Sequence, residues 1–470
     1  MNPTTTFFID LLVLLGGAIL AGELARRAGL PALVGQLLVG VLLGPTVLGS
    51  AFGLNGLTPE LTAIQLLGTV LILFIAGLDT PPEQILQMGP GTVAMGVGLF
   101  AIPFALLSLL VHALLPGQPG LIPLFIALVL SVTALPVMGI MLAELRITST
   151  PVGRLLINLS VVNELAAVTV FAALLQLQNG GTGSADGIGI AALSVGLFLA
   201  AVVAVYRVTR QLNSHPAWRR LREQLARTMR TQEAGFAILM VALVGASLFS
   251  QYLGLTYVVG AFFAGILVSG GAFGSPGRPR SSVVFTTMTW GFFVPLFFAF
   301  VGVEMDLWSL SSPLFLVIFG AIAVAAVTVK VASGYAIGRL NDWSGSDAFA
   351  IGSLVSSRGG VSLAMAVILL GEGILTSQTF TLVAAVGLVT TIIAPLGATW
   401  AWRTSGRTSR GAMPAPVDAD AFDTAGVLSP DPSGGDPPGL DPGAGMPPEA
   451  HGGRTPSADV GTGAAPPTPR

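Results

Sequence analysis

Residues 29–44 read GLPALVGQLLVGVLLG, and residues 254–269 read GLTYVVGAFFAGILVS. The two stretches align at an offset of 225 residues. The same offset pairs Gly77-Leu78-Asp79 with Gly302-Val303-Glu304, and Thr133 with Arg358. The two stretches open the second and ninth of the apolar runs described below, seven helices apart. An odd separation makes two copies cross a membrane in opposite directions. Such inverted repeats are characteristic of secondary transporters, whose sites lie near the bilayer midplane where the copies meet.

The composition agrees with a membrane reading. The chain has 470 residues, of which 53% are hydrophobic and 9% charged. A soluble domain carries about 25% charged residues. With a mean hydropathy of +0.82, most of the length cannot present a water-facing surface. That excludes a soluble enzyme, a nucleic-acid binder and a disordered hub. Cysteine is absent, which removes disulfides, thiol catalysis and thiolate metal sites. The expected class is an all-α polytopic membrane protein with two crossing discontinuous helices and no cofactor. Composition changes near Arg403, and residues 404–470 are rich in Gly, Pro, Asp, Ser and Thr. That segment reads as a disordered tail, without the strand–glycine loop–helix pattern of a nucleotide-binding domain. Met1–Thr6 has no basic residue, so the first apolar run reads as a retained helix rather than a cleaved leader.

Thirteen spans of about 20 apolar residues each can be placed: 7–25, 30–48, 61–78, 91–114, 120–145, 151–176, 187–207, 232–250, 254–271, 281–303, 312–338, 344–370 and 376–402. Arginine position tests this count. Arg26, Arg27, Arg146, Arg154, the run from Arg207 to Arg230, Arg278, Arg280, Arg339, Arg403, Arg407 and Arg410 all fall in odd-numbered connections. The even-numbered connections and the N-terminus have none. The positive-inside rule then puts the N-terminus outside and the tail in the cytoplasm of a plasma membrane. The 207–230 stretch reads either as an interfacial helix or as a solvated loop.

Two spans carry matching interruptions: Ser131-Val132-Thr133-Ala134-Leu135-Pro136 in the fifth, and Ser356-Ser357-Arg358-Gly359-Gly360 in the twelfth. Pro136 removes a helical hydrogen bond. Unwound backbone at membrane depth survives only where it is buried in protein or lines a cavity. Three ionisable residues lie deep: Glu164, Lys330 and Arg358. Asp10 and Glu23, near the ends of the first span, read as interfacial. An intramembrane charge is a functional candidate by default. Lys330 is the only lysine in the chain. Glu164 lies about 20 Å from the start of its span at 1.5 Å per residue. Thr133 and Arg358 fall at similar depth. Ser160, Asn163 and Glu164 share one helix face. A carboxylate, an amide oxygen, hydroxyls and free carbonyls suit a small monovalent cation. The carboxylate can instead hold a proton, so proton and cation would compete for one group. Arg358 could compensate helix C-terminal dipoles at the break. His112, His215 and His451 lie away from this cluster and read as ordinary polar residues.

These motifs resemble the monovalent cation:proton antiporter-2 family, which includes Kef-type and cation/proton exchangers. The resemblance covers about residues 1–400. It rests on Leu30-Pro31 through Gln36 with Gly44-Pro45, Leu73-Phe74 through Gly77-Leu78, and Thr133-Ala134-Leu135-Pro136-Val137. Ala143-Glu144-Leu145, Gly153-Arg154, Lys330 and Ser357-Arg358-Gly359 complete it. It implies a thirteen-helix inverted-repeat antiporter, a homodimer and elevator-like motion. Spans within 91–176 and 312–402 would form the core, and those within 7–78 and 232–303 the dimer scaffold. The family's ion-binding pair on span six is usually Asp-Asp in electrogenic members and Asn-Asp in electroneutral ones. Here it reads Asn163-Glu164, which suggests one proton per cation while lengthening the ligand arm by a methylene. The lysine, like that of electrogenic members, leaves stoichiometry open.

The expected activity is exchange of Na⁺, or K⁺ or Li⁺, for H⁺, with Glu164 as shared carrier and Asn163, Thr133 and Ser160 as further ligands. Lys330 and Arg358 would be charge partners, and Ser131, Ala134, Pro136, Ser357, Gly359 and Gly360 would shape the breaks. The alternatives are a gated K⁺ efflux channel or transporter, and an organic-anion symporter that uses Arg358. No metal beyond a monovalent cation and no nucleic acid is expected as a partner.

Overall fold

Hydroxyl–proline pairs start two of the long helices. Thr58 and Ser312 precede Pro59 and Pro313, and each hydroxyl accepts a first-turn backbone N–H, from Leu61 at 3.4 Å and Phe315 at 3.1 Å. Proline is suited to the first helical position because its missing N–H would have no intrahelical partner there. A computed structural model of the chain describes residues 2–49, 56–80, 82–144, 147–148, 150, 151–179, 185–215, 232–270 and 285–404. The chain falls into two units, Met1–Val427 and Leu428–Arg470. The second unit, the rest of the tail from 405, and residues 216–230 of the proposed interfacial stretch lie outside the described residues.

Among the described residues all regular structure is helical. In chain order the helices are α1 (Pro3–Arg27), α2 (Ala32–Leu43), α3 (Pro59–Leu78), α4 (Pro82–Gln87), α5 (Pro90–Leu114), α6 (Ile122–Val129), α7 (Leu135–Glu144), α8 (Pro151–Asn179), α9 (Ala185–Ser214), α10 (Gln232–Tyr252), α11 (Tyr257–Ser269), α12 (Val294–Glu304), α13 (Pro313–Leu340), α14 (Gly345–Val355), α15 (Gly360–Gly371) and α16 (Ser377–Thr404). A π-helical turn, Thr289–Phe293, leads into α12. Among the described residues ten stretches are long and apolar enough to cross a membrane; α14 and α15 together form one of them. The segments expected as spans two and nine are shorter apolar helices of 12 and 13 residues, and span five is the broken pair α6–α7. The protein is a multi-pass helical membrane protein.

Helix α1 packs on α2, α2 on α12, α3 on α11, and α10 on α11. A second set joins α5 to α8, α13 to α5 and α14, and α14 to α16. Small residues set the closest crossings. A Cβ at Gly40 would overlap the Ala299 carbonyl, and one at Gly302 the Leu37 carbonyl, where α2 meets α12. At the α3–α11 crossing the same holds for Gly77 against Phe262 and Gly265 against Phe74. Gly35 meets the Ala21 carbonyl between α1 and α2, and Gly260 meets the Ala246 carbonyl between α10 and α11. Close backbone approach over small residues replaces the hydrophobic drive that lipid cannot supply between helices.

Asp10 departs from the expected interfacial position. It lies on the packed stripe of α1 with Leu14, Ala18 and Gly22, and is 6% exposed. Glu23 is on the surface, where it accepts from Arg26 at 2.7 Å and Arg27 at 3.1 Å. The broken stretch α14–α15 is the most enclosed of the ten candidate spans, with 78% of its most apolar window buried, and α9 the least, with 6%. The interruption therefore sits inside protein, where uncoiled backbone finds partners.

Candidate ion site

The site forms where the two broken segments cross. Helix α6 packs against α15, and α7 against α14, so each half-helix meets the opposite half of the other segment. Helix α6 ends at Val129 and α7 begins at Leu135; α14 ends at Val355 and α15 begins at Gly360. Pro136 is the second residue of α7. It acts as a helix starter after a break already made by residues 130–134, rather than as a kink in a continuous helix. The breaks bond directly: the Ala134 N–H donates to the Ser357 carbonyl at 3.1 Å. The Thr133 hydroxyl donates to the Val355 carbonyl, the last of α14, at 2.9 Å. At Gly359 a Cβ would press on the Ala134 side chain, and at Gly360 on Ile72. Glycine at 359 lets the two breaks touch, and glycine at 360 makes room for Ile72 of α3.

Helix α8 lays its polar face across this junction. The Asn163 side-chain carbonyl accepts the Thr133 N–H at 2.8 Å, and Glu164 Oε1 accepts the Leu135 N–H at 3.0 Å. Asn163, Glu164, Thr133, Ser131 and Ser357 are all fully buried. A carboxylate thus meets the N-terminus of α7, the end where the helix dipole favours negative charge. The cations take the opposite pole. Lys330 Nζ donates to the Ser131 carbonyl and, at 3.0 Å, to that of Leu99. Arg358 Nη1 donates to the Val132 carbonyl at 3.2 Å, and Nη2 reaches the Ala326 carbonyl at 3.5 Å. Both cations therefore serve carbonyls just past the C-terminus of α6. Among the described residues Glu164 and Lys330 form no ion pair, so the lysine is positioned by backbone rather than by the carboxylate.

Four buried polar atoms in this cluster have no hydrogen-bond partner among the described residues: Glu164 Oε2, Asn163 Nδ2, Ser357 Oγ and Arg358 Nε. Buried polar groups are nearly always satisfied, so such a group calls for an explanation. Glu164 Oε2 is a free acceptor at the crossing, able to take a proton or a small cation. Ser160, expected beside it, turns to α7, where its hydroxyl donates to Met138 Sδ at 3.4 Å. The Ser131 hydroxyl is likewise engaged, with the Ala127 carbonyl at 2.6 Å.

The sequence reading passed over a second, half-buried polar pair, in which Gln65 Nε2 donates to Glu304 Oε2 at 2.9 Å between α3 and α12. Its signal was available in part, since Gln65 is an isolated amide in an apolar run and Glu304 is the repeat partner of Asp79. The role of the Val355 carbonyl had no signal, whereas the Leu99 carbonyl was marked by Pro103, which lies four residues on in α5 and has no N–H to donate to it.

Comparisons with known proteins agree with this architecture. A Na⁺/H⁺ antiporter from Enterococcus hirae is 27% identical over 395 residues, covering 83% of this chain and 96% of that protein. The Na⁺/H⁺-K⁺ antiporter GerN of Bacillus cereus is 25% identical over 389 residues, covering 83% and 94%. K⁺/H⁺ antiporter 1 of Saccharomyces cerevisiae is 25% identical and covers 77% of this chain and 42% of itself. The solved sodium proton antiporter MjNhaP1 of Methanocaldococcus jannaschii has the same fold at a TM-score of 0.56, with 16% identity over 87% of this chain and 99% of its own. The family model for the sodium/hydrogen exchanger transmembrane region matches residues 11–404. The chain belongs to the sodium/hydrogen exchanger family.

Proposed function

We propose that this protein is a secondary antiporter that exchanges a monovalent cation, Na⁺ first, for H⁺, one for one. The observation that carries the reading is the fully buried Glu164, with one oxygen held by the α7 N-terminus and the other unpartnered where the broken segments cross. One carboxylate that takes either a proton or a cation couples the two fluxes by competition. Asn163 holds the break open at Thr133 and offers its amide as a neutral neighbour. Lys330 and Arg358 hold the carbonyls past α6 and offset the charge of the site. Ser160, Ser131 and Pro136 shape the surrounding helices.

The wider arrangement follows from the same reading. All thirteen segments cross a plasma membrane, with the N-terminus outside and the tail from 404 in the cytoplasm, because arginines mark alternate connections. Helices α1–α3 and α10–α12 form a scaffold that pairs two copies into a homodimer, and α5–α8 with α13–α16 form a core that moves against it. The inverted repeat has support in packing. The offset of 225 carries Gly35 and Ala21 onto Gly260 and Ala246, and both pairs are close contacts. It also carries Gly40 onto Gly265 and Gly77 onto Gly302, which exchanges the α2–α12 crossing for the α3–α11 crossing.

The test is cation-dependent proton movement in reconstituted vesicles. Wild type is expected to collapse a pH gradient on addition of Na⁺, K⁺ or Li⁺. Glu164→Gln keeps an acceptor for the Leu135 N–H but cannot exchange a proton, and is expected to lose this flux entirely. Full exchange by Glu164→Gln would overturn the mechanism. Single-channel currents would favour a channel, and flux driven by a carboxylic acid but by no cation would favour an anion symporter.

A further inference from the structure

The interior of α5 carries a buried proline, Pro103. A proline there has no N–H for the carbonyl four residues back, which is that of Leu99. Membrane helices tolerate such a break where a neighbouring group takes the freed carbonyl. Here that group is Lys330 on α13, whose Nζ donates to the Leu99 carbonyl at 3.0 Å. The same nitrogen donates to the Ser131 carbonyl, in the first break. One fully buried side chain, the only lysine in the chain, thus joins carbonyls freed by two separate interruptions. The inverted repeat supplies the contrast. The offset of 225 carries Leu99 onto Val324 and Pro103 onto Thr328, both on α13. Thr328 has the N–H that proline lacks, and its hydroxyl also donates to the Val324 carbonyl at 2.8 Å. That carbonyl is served within its own helix. The Leu99 carbonyl is open to a partner on another helix because residue 103 is proline.

We infer that Pro103 is a positioning residue: by keeping the Leu99 carbonyl open it docks Lys330 on Ser131, and so leaves the Leu135 N–H to hold Glu164. In a continuous helix the Ser131 carbonyl would accept the Leu135 N–H, four residues on. Here that N–H goes to Glu164 Oε1 at 3.0 Å, and Lys330 serves the carbonyl in its place. A line of bonded groups therefore runs from α5 through α13 and the first break to the carboxylate on α8. Its consequence for exchange rests on the antiport reading. A carboxylate fixed through one oxygen presents the other, Glu164 Oε2, at the crossing. An ion site works only when its supporting groups hold that geometry to within about 0.5 Å. Pro103→Ala supplies an N–H that claims the Leu99 carbonyl. The lysine then gives up one of its two acceptors, and the Ser131 carbonyl can compete for the Leu135 N–H.

Three measurements on the full chain test the inference. The first is a double-mutant cycle of thermal melts in detergent. Lys330→Met leaves the Leu99 carbonyl without a donor, and Pro103→Ala then provides one. Pro103→Ala is expected to raise the melting temperature of Lys330→Met by about 1–2 °C, and that of the otherwise wild-type protein by clearly less. Equal shifts in the two backgrounds would mean that proline and lysine act independently, and would overturn the inference. The second uses the single lysine as a probe, because ε-¹³C-lysine labelling gives one resonance. That resonance is expected to move in Pro103→Ala, and an unmoved one would overturn the docking. The third is vesicle flux. Pro103→Ala is expected to raise the half-saturating Na⁺ concentration by about 3–10-fold, the share of one hydrogen bond, with the maximal rate within about twofold of wild type. An unchanged half-saturation would overturn the link to Glu164. A wild type without cation-dependent proton flux would instead remove the antiport reading. Coupled melts and a moved lysine resonance would then still establish Pro103 as the residue that positions Lys330.

Discussion

At the scale of single residues, the two central charges of opposite sign act on different parts of the backbone. Glu164 takes the N-terminal pole of α7, and Lys330 takes the Ser131 carbonyl past the C-terminal pole of α6 together with the Leu99 carbonyl within α5. Their substitutions should therefore separate. Lys330→Met leaves the Leu99 and Ser131 carbonyls without the ammonium, at a cost of about 1–3 kcal/mol for buried groups left unsatisfied. The expected result is a lower melting temperature of the purified protein. Glu164→Gln retains the acceptor for Leu135 N–H and is expected to melt within a degree or two of wild type while losing transport. A thermal melt of both proteins checks the separation. Equal melting of Lys330→Met and wild type would mean the lysine is not needed to satisfy these carbonyls. The sequence marked both residues as rare charges in apolar helices, but not the groups they face.

Elements are joined by crossings too tight for any side chain. Gly302 and Gly77 sit against carbonyls of the facing helix, so an added methyl must push whole backbones apart. Gly302→Ala and Gly77→Ala are each expected to destabilise by about 1–3 kcal/mol, the usual cost of overpacking. Gly320 on α13 has open space around its Cβ position, and Gly320→Ala is the control expected to change little. Detergent melts of the three variants decide it, and equal effects would refute the packing argument. The 12- and 13-residue helices α2 and α11 lie at these crossings. Their apolar runs were legible. That they stop short of a full 20-residue span was not, since the flanking Pro31 and Pro45 act through local turn geometry.

For the whole molecule, the charge moved per cycle is the decisive quantity. One titratable carboxylate beside an amide predicts a flux that ignores membrane potential when the pH gradient is held constant. The check is vesicle flux with the potential clamped at zero and then at −100 mV, where one net charge per cycle would feel about 2.3 kcal/mol. A rate that changes steeply with potential would show that a second charge moves, and would turn attention to Lys330. On the proposed mechanism acidification of both sides is expected to slow exchange, because protons would compete with the cation for Glu164.

The sequence by itself determined the membrane class, the approximate position of each apolar segment, the two interruptions and the three deep charges Glu164, Lys330 and Arg358. These are carried by composition and by spacing along the chain, because lipid demands long apolar helices and makes every intramembrane polar residue conspicuous. Only the tertiary structure decided which helix faces the crossing and which oxygen of Glu164 stays unpartnered. It also decided that Lys330 binds backbone rather than carboxylate, that Ser160 turns away to Met138, and that Asp10 is buried. Those outcomes depend on the rotation of helices far apart in sequence, and on carbonyls that every residue carries alike.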